Sequence, residues 1–138
     1  MLKLTLAFLL TVITPALAAE GIHVDGKSEV TLSGTLTYSV FPGPPNYEDV
    51  TQGDAPEPAY ILALDEPRCF TGDENFPEGE VSRAHLIVIG DDHPELWHEL
   101  KMLIGRHVSA SGRDTFGSIT GHHHAPVVMA IDSISAER

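Results

Sequence analysis

Residues 30–40 alternate without a break. Val30, Leu32, Leu36, Tyr38 and Val40 fall on one side, and Thr31, Ser33, Thr35, Thr37 and Ser39 on the other. A period of two predicts a β-strand with one apolar face and one hydroxyl-rich face. Gly34 sits on the apolar face, where a glycine marks a bend or bulge at which a barrel turns a corner.

The remaining elements follow from punctuation and periodicity. Phe41 to Ala59 carries Pro42, Pro44, Pro45, Pro56 and Pro58 with Gly43 and Gly53, so it reads as a long, proline-stiffened loop. Tyr60 to Leu64 makes a second strand, ended by Asp65-Glu66-Pro67. Thr71 to Glu80 is a polar acidic turn, and Val81 to Ile89 a third strand. The one helix runs from about Pro94 to Ile104. Pro94 suits a first turn, Asp92 or His93 caps it, and Glu95 favours the positive end of the dipole. Leu96, Trp97, Leu100, Leu103 and Ile104 form one apolar stripe, with Trp97 expected to plug the base of the core, and Gly105 ends the helix. His107 to Gly112 and Pro126 to Ile134 complete five strands. A helix between the third and fourth of five strands, after a glycine-bent first strand, predicts a mostly β, five-stranded OB-like barrel; a split β-sandwich is the rival.

Residues 1–18 read as a secretory signal: Lys3 supplies the positive end, Leu4 to Ile13 the apolar stretch, and Ala16-Leu17-Ala18 the small residues at the cleavage site. The cut is expected after Ala18, or after Ala19, leaving residues 19–138 as one domain, periplasmic or secreted. The apolar run is too short for the roughly 30 Å of a bilayer core, which argues against a stable membrane anchor. The formal net charge of −12 from 20 acidic and 8 basic residues argues against nucleic acid, whose phosphates need a basic groove. It permits cationic partners. Cys69 is the only cysteine, so no internal disulfide forms; beside Phe70 it is expected to be buried.

Chemistry concentrates in two loops. The first holds Asn46, Tyr47, Glu48 and Asp54; the second holds His122, His123 and His124 between Gly121 and Pro126. In an OB barrel the corresponding loops flank the usual binding face, so these seven residues form the candidate ligand-binding site, with Glu48 or Asp54 brought towards the imidazoles. Three readings of the triplet stay open. In extended chain His122 and His124 point one way and His123 the other, so His122, His124 and one carboxylate would suit zinc or copper. The rings would otherwise brace the turn into Pro126, or form a contact that responds to pH. No nucleophile motif surrounds Cys69 or Ser111-Gly112, so no catalytic residue is assigned. His85, His98 and His107 are scattered, and His23 and Lys27 fall in a lead-in segment.

Phe41-Pro42-Gly43-Pro44-Pro45-Asn46-Tyr47-Glu48, Gly53-Asp54, Pro56-Glu57, Leu64-Asp65-Glu66-Pro67, Cys69, Leu103-Ile104-Gly105-Arg106, and Thr120-Gly121-His122-His123-His124-Ala125-Pro126-Val127 together resemble a family of small secreted bacterial proteins, domain of unknown function forty-four thirty-one. Ala125 stands where that family usually has threonine. The resemblance implies a compartment and a domain, and no activity. The expectation from the residues is an exported, non-catalytic binding module for a protein or small-molecule ligand. The alternatives are a zinc- or copper-binding protein, including a metal-dependent hydrolase, and an inhibitor or immunity partner of a secreted enzyme.

Overall fold

The computed structural model describes residues 20–138; the expected signal segment lies outside the described residues. The chain is mostly β with one α-helix. Strands β1 (Ile22–His23), β2 (Val30–Pro42), β3 (Pro56–Thr71) and β4 (Glu80–Ile87) precede α1 (Pro94–Leu103). Strands β5 (His107–Gly112), β6 (Asp114–Gly117), β7 (Val127–Ala130) and β8 (Ser133–Ala136) follow it. No helix among the described residues is long and apolar enough to cross a membrane.

The expected count of five strands becomes eight. One extra strand, β6, forms just after Arg113 in the segment expected as loop, and a second arises because the expected fifth strand is broken at Ile131-Asp132 into β7 and β8. The third is β1, which pairs in parallel with Phe70 and Thr71, so the lead-in around His23 is bonded to the sheet. The seven other strands form one curled sheet in the order β6-β7-β4-β3-β2-β5-β8. All neighbours are antiparallel except β4 and β7, which run parallel.

Gly34 is where the sheet turns. Residues Val30 to Thr35 of β2 pair with β5, and residues Gly34 to Pro42 pair with β3, so the strand changes neighbours at this point. A Cβ at residue 34 would collide with the Ala63 carbonyl, so only glycine admits that approach.

Pro67 does not end the second strand. The β3–β4 register shifts between Ala63 and Arg68, and the bulge takes Pro67 out of the ladder, so its missing N–H breaks no pairing. The strand therefore runs on to Thr71 and leaves Cys69 exposed, correcting its expected burial.

The core lies on the concave side, around Leu36, Leu62, Leu86, Val108, Val127 and Met129. Leu96 and Leu100 of α1 close it from one end, with Leu103 packed against it. Trp97 does not plug the core: its indole is 41% exposed on the flank of the helix. His93 is the N-cap but makes no side-chain cap bond, and Gly105 follows the helix at φ 80°.

A second, smaller apolar cluster lies on the opposite face of the sheet. Ala59, Ile61 and Ala125 are buried there against Phe41. This convex patch exists because the loop after β6 folds back over β2 and β3, and it carries the candidate site.

Candidate functional site

The first loop, residues 43–55, is organised around Asp54. Its side chain is 4% exposed, and its carboxylate accepts from the backbone N–H of Asn46 (2.9 Å), Glu48 (2.8 Å) and Asp49 (2.9 Å), and from Asn46 Nδ2 (3.2 Å). The backbone bonds from Asp49, Glu48 and Asn46 hold its carboxyl below the usual range against the opposing effect of burial. Asp54 and Asn46 are therefore occupied inside the loop. Glu48 contributes its backbone N–H to the same cradle, and its side chain is exposed. Sequence spacing proposed a carboxylate from Glu48 or Asp54 facing the imidazoles; the structure supplies a different one.

That carboxylate is Glu57, on β3 opposite Phe41 in the β2–β3 ladder. His122 Nδ1 lies 2.6 Å from Glu57 Oε1, and His124 Nε2 lies 2.9 Å from Glu57 Oε2. Each ring places a protonated nitrogen towards the carboxylate and donates to it. Burial raises the Glu57 carboxyl, and the hydrogen bonds and charge of His122 and His124 outweigh it, leaving it below the ordinary glutamate value.

The two donor rings differ in setting. His124 is 8% exposed at its side chain and stacks on Phe41, with centroids 4.5 Å apart and planes 4° from parallel. His122 is largely exposed and meets Tyr47, whose hydroxyl lies 3.3 Å from its Nε2. Tyr47 adopts a left-handed backbone, φ 59°, unusual for a residue with a Cβ, and the Asp54 cradle on both sides of it keeps it there. Its ring packs so closely on Gly121 that a Cβ at 121 would lie 2.9 Å from it. The two loops therefore meet at Tyr47, Gly121 and His122.

The other imidazoles accept. His123 Nδ1 takes the Ile119 N–H at 3.2 Å, and His85 Nδ1 takes the His124 N–H at 3.2 Å. Burial, with His124 and His123 beside it, pushes His85 down to about 4, so the ring is neutral with its proton on Nε2. Burial and the flanking His122 and His124 lower His123 as well. The triplet is not an extended strand: His123 N–H closes a turn onto the Thr120 carbonyl at 3.1 Å. The turn still sends His122 and His124 to one partner and His123 to another, as alternation predicts.

Glu57, Phe41 and His85 escaped the sequence reading. The available signal was parity. Glu57, Ala59 and Ile61 share the face that Ala125 covers, and an acidic residue continuing an apolar face calls for a partner.

Metal chemistry finds a poor fit at the triplet. The carboxylate lies between the two rings and bridges them, rather than joining them around a common point. Among the described residues, the group with three ligand atoms within 4.8 Å of one another is Asp65, His107 and Glu137, elsewhere on the sheet. There His107 is flanked on both nitrogens, by Asp65 at 2.7 Å and Glu137 at 3.2 Å.

Beside the loop junction lies a shallow groove of about 420 Å³, walled by Phe41, Pro42 and Tyr47 on one side and Gly121 and His123 to Pro126 on the other, with Arg83 and Ser118 at its margin. Arg83 is exposed and makes no ion pair among the described residues. Of the seven candidate residues, Tyr47, His123 and His124 reach this groove.

Residues 83–135 match the model of the family described as Domain of unknown function (DUF4431). That segment spans β4 to β8 and includes the histidine loop; the proline loop lies outside it. No curated protein and no solved structure matches the chain.

Proposed function

We propose that this chain, whose residues 83–135 match the model of the domain of unknown function 4431, is an exported, non-catalytic binding module whose ligand seats in the groove where the two loops meet. The observation that carries this reading is the interlock of Tyr47 with Gly121 and His122. It joins segments some 75 residues apart in sequence and leaves a concave surface edged by groups that still have hydrogen-bonding capacity. Clefts with apolar walls and a few convergent polar groups are the usual form of a ligand site.

The scaffold belongs to the same reading. Joined across Arg113, β5 and β6 become one bent strand; joined across Ile131-Asp132, β7 and β8 become another. These two composite strands then run antiparallel along each other through the β5–β8 and β6–β7 ladders, which links the two ends of the sheet. Counted in this way there are five strands, and the parallel pairing of β4 with β7 together with the helix after β4 supports reading the sheet as an OB-like barrel. On that scaffold the two loops border the face normally used for binding, and the second loop has folded onto part of it.

Tag-free protein recovered from periplasm and examined by native mass spectrometry tests the proposal. Expected are a chain beginning at Ala19 and a retained ligand or partner. Tyr47→Ala and His123→Ala are expected to lose that ligand while the melting temperature stays close to that of the parent. An uncleaved chain would remove export. Failure of both variants to change what is retained would remove the groove. Stoichiometric zinc or copper, lost with His122→Ala, would favour the metal-dependent alternative. A co-purifying secreted enzyme would favour the inhibitor role.

A further inference from the structure

We infer that the chain carries a second binding pocket, beside α1 and sharing no wall residue with the loop groove, for a flat apolar organic acid such as an aromatic carboxylate. The pocket is a cavity of about 470 Å³ with Tyr38, Tyr60, Leu86, Trp97 and Lys101 in its wall, and with Ala59 and His85 on the side that backs onto the histidine loop.

Tyr60 is the central observation. It is 7% exposed, and its hydroxyl makes no hydrogen bond among the described residues. The hydroxyl is nevertheless not sealed off: Thr115 Oγ1 alone, among the described residues, is both enclosed and unpartnered. A buried tyrosine normally finds a partner for its O–H, because an unmatched donor there costs free energy. Here the donor opens on the cavity, so a ligand acceptor would complete it.

The walls specify the rest of the ligand. Tyr38 and Tyr60 lie 5.0 Å apart at 58°, and Tyr60 and Trp97 6.4 Å apart at 50°. These three rings with Leu86 and Val88 give the cavity an apolar wall rich in aromatic edges and faces, which suits an aromatic body. Tyr38 and Trp97 remain 46% and 41% exposed, an unusual amount of bare aromatic surface on one small domain. Lys101 lies one helical turn after Trp97 and has no ion pair among the described residues. In a chain of net charge −12, an unpaired ammonium and an unpaired phenol in the wall of one cavity offer two donors to an oxyanion. The same ammonium repels a cation that the three rings would otherwise attract.

Trp97 is the only tryptophan, so its indole N–H gives one unambiguous resonance in an ¹⁵N-labelled sample. The test titrates 2-naphthoate, its uncharged analogue 2-naphthamide, and choline. Naphthoate is expected to shift the indole resonance saturably, with the amide weaker. Tyr60→Phe is expected to weaken naphthoate roughly fivefold, the loss of one hydrogen bond. Lys101→Gln is expected to erase the preference for the acid. Tyr47→Ala, in the loop groove and outside the wall of this cavity, is expected to leave naphthoate binding unchanged, so this site stands or falls apart from that one. No saturable shift, equal binding of acid and amide in the parent protein, or preference for choline would each overturn the inference.

Discussion

Glu57 accepts from two imidazoles at once, and the two rings stand in different surroundings. His124 is buried and stacked on Phe41, so removing it leaves both a cavity on the convex face and a carboxylate short of one donor. His124→Ala is expected to cost about 2–3 kcal/mol in urea unfolding, against less than about 1 kcal/mol for the exposed His122→Ala. A triplet-to-alanine variant therefore reports mainly on His124, and single substitutions are needed to separate bracing from binding. His85 makes a second statement at this scale. Its value in the fold, about 4, lies below the ordinary 6.5, so the fold favours the neutral ring. Its contribution is complete above pH 6.5, declines as the pH falls, and is gone near pH 4, a loss of about 3 kcal/mol. An NMR titration is expected to show the His85 ring neutral down to about pH 4, and a normal midpoint near 6.5 would contradict the burial that sets it.

At the scale of elements, β2 and the first loop each depend on one residue that admits no simple replacement. Gly34 permits β2 to exchange β5 for β3, and Gly34→Val puts a branched side chain into the Ala63 carbonyl. The expected result is a loss of at least about 2 kcal/mol, read as a lower urea midpoint. Asp54 satisfies three backbone N–H groups that have no strand or helix to belong to. Asp54→Ala is expected to open residues 43–55 to protease well before global unfolding, and equal protease resistance would show that the prolines alone hold the loop. The position of Gly34 was legible from alternation, because a glycine on the apolar side of a strand has few other uses. The role of Asp54 was not legible, since a buried loop carboxylate and a ligand-binding one look alike until their partners are known.

For the whole molecule, protonation acts in opposite senses at its two histidine clusters. Glu57 and His85 on the convex face both sit below their ordinary values, so stability there falls with falling pH. His107 is raised, first by its hydrogen bond to Asp65 and then by the charges of Asp65 and Glu137, against the lowering effect of burial. A raised group contributes fully below its unfolded value and loses that contribution as pH rises through its folded one. The melting temperature is therefore expected to pass through a maximum, and Glu137→Gln to soften only the alkaline side. Cys69, exposed on β3, is expected to react with a thiol reagent in the native state without denaturant.

Period-two alternation, the proline-rich interval and the capped apolar stripe determined by themselves that this chain would be mostly β with one helix after the third main strand. They did so because such signals are local: each rests on residues a few positions apart. The union of Pro44-Pro45-Asn46-Tyr47 with Gly121-His122-His123-His124 was expectable only through a fold, and the identity of the bridging carboxylate not even then. Glu57 outcompetes Glu48 and Asp54 because strand register sets it opposite Phe41 and under the returning loop, and register depends on contacts between distant segments. The exposure of Trp97 and Cys69 was likewise decided in three dimensions. A helix stripe wider than the core it covers leaves its flank bare, and a bulge that carries Pro67 out of the ladder lets the strand run on to the surface.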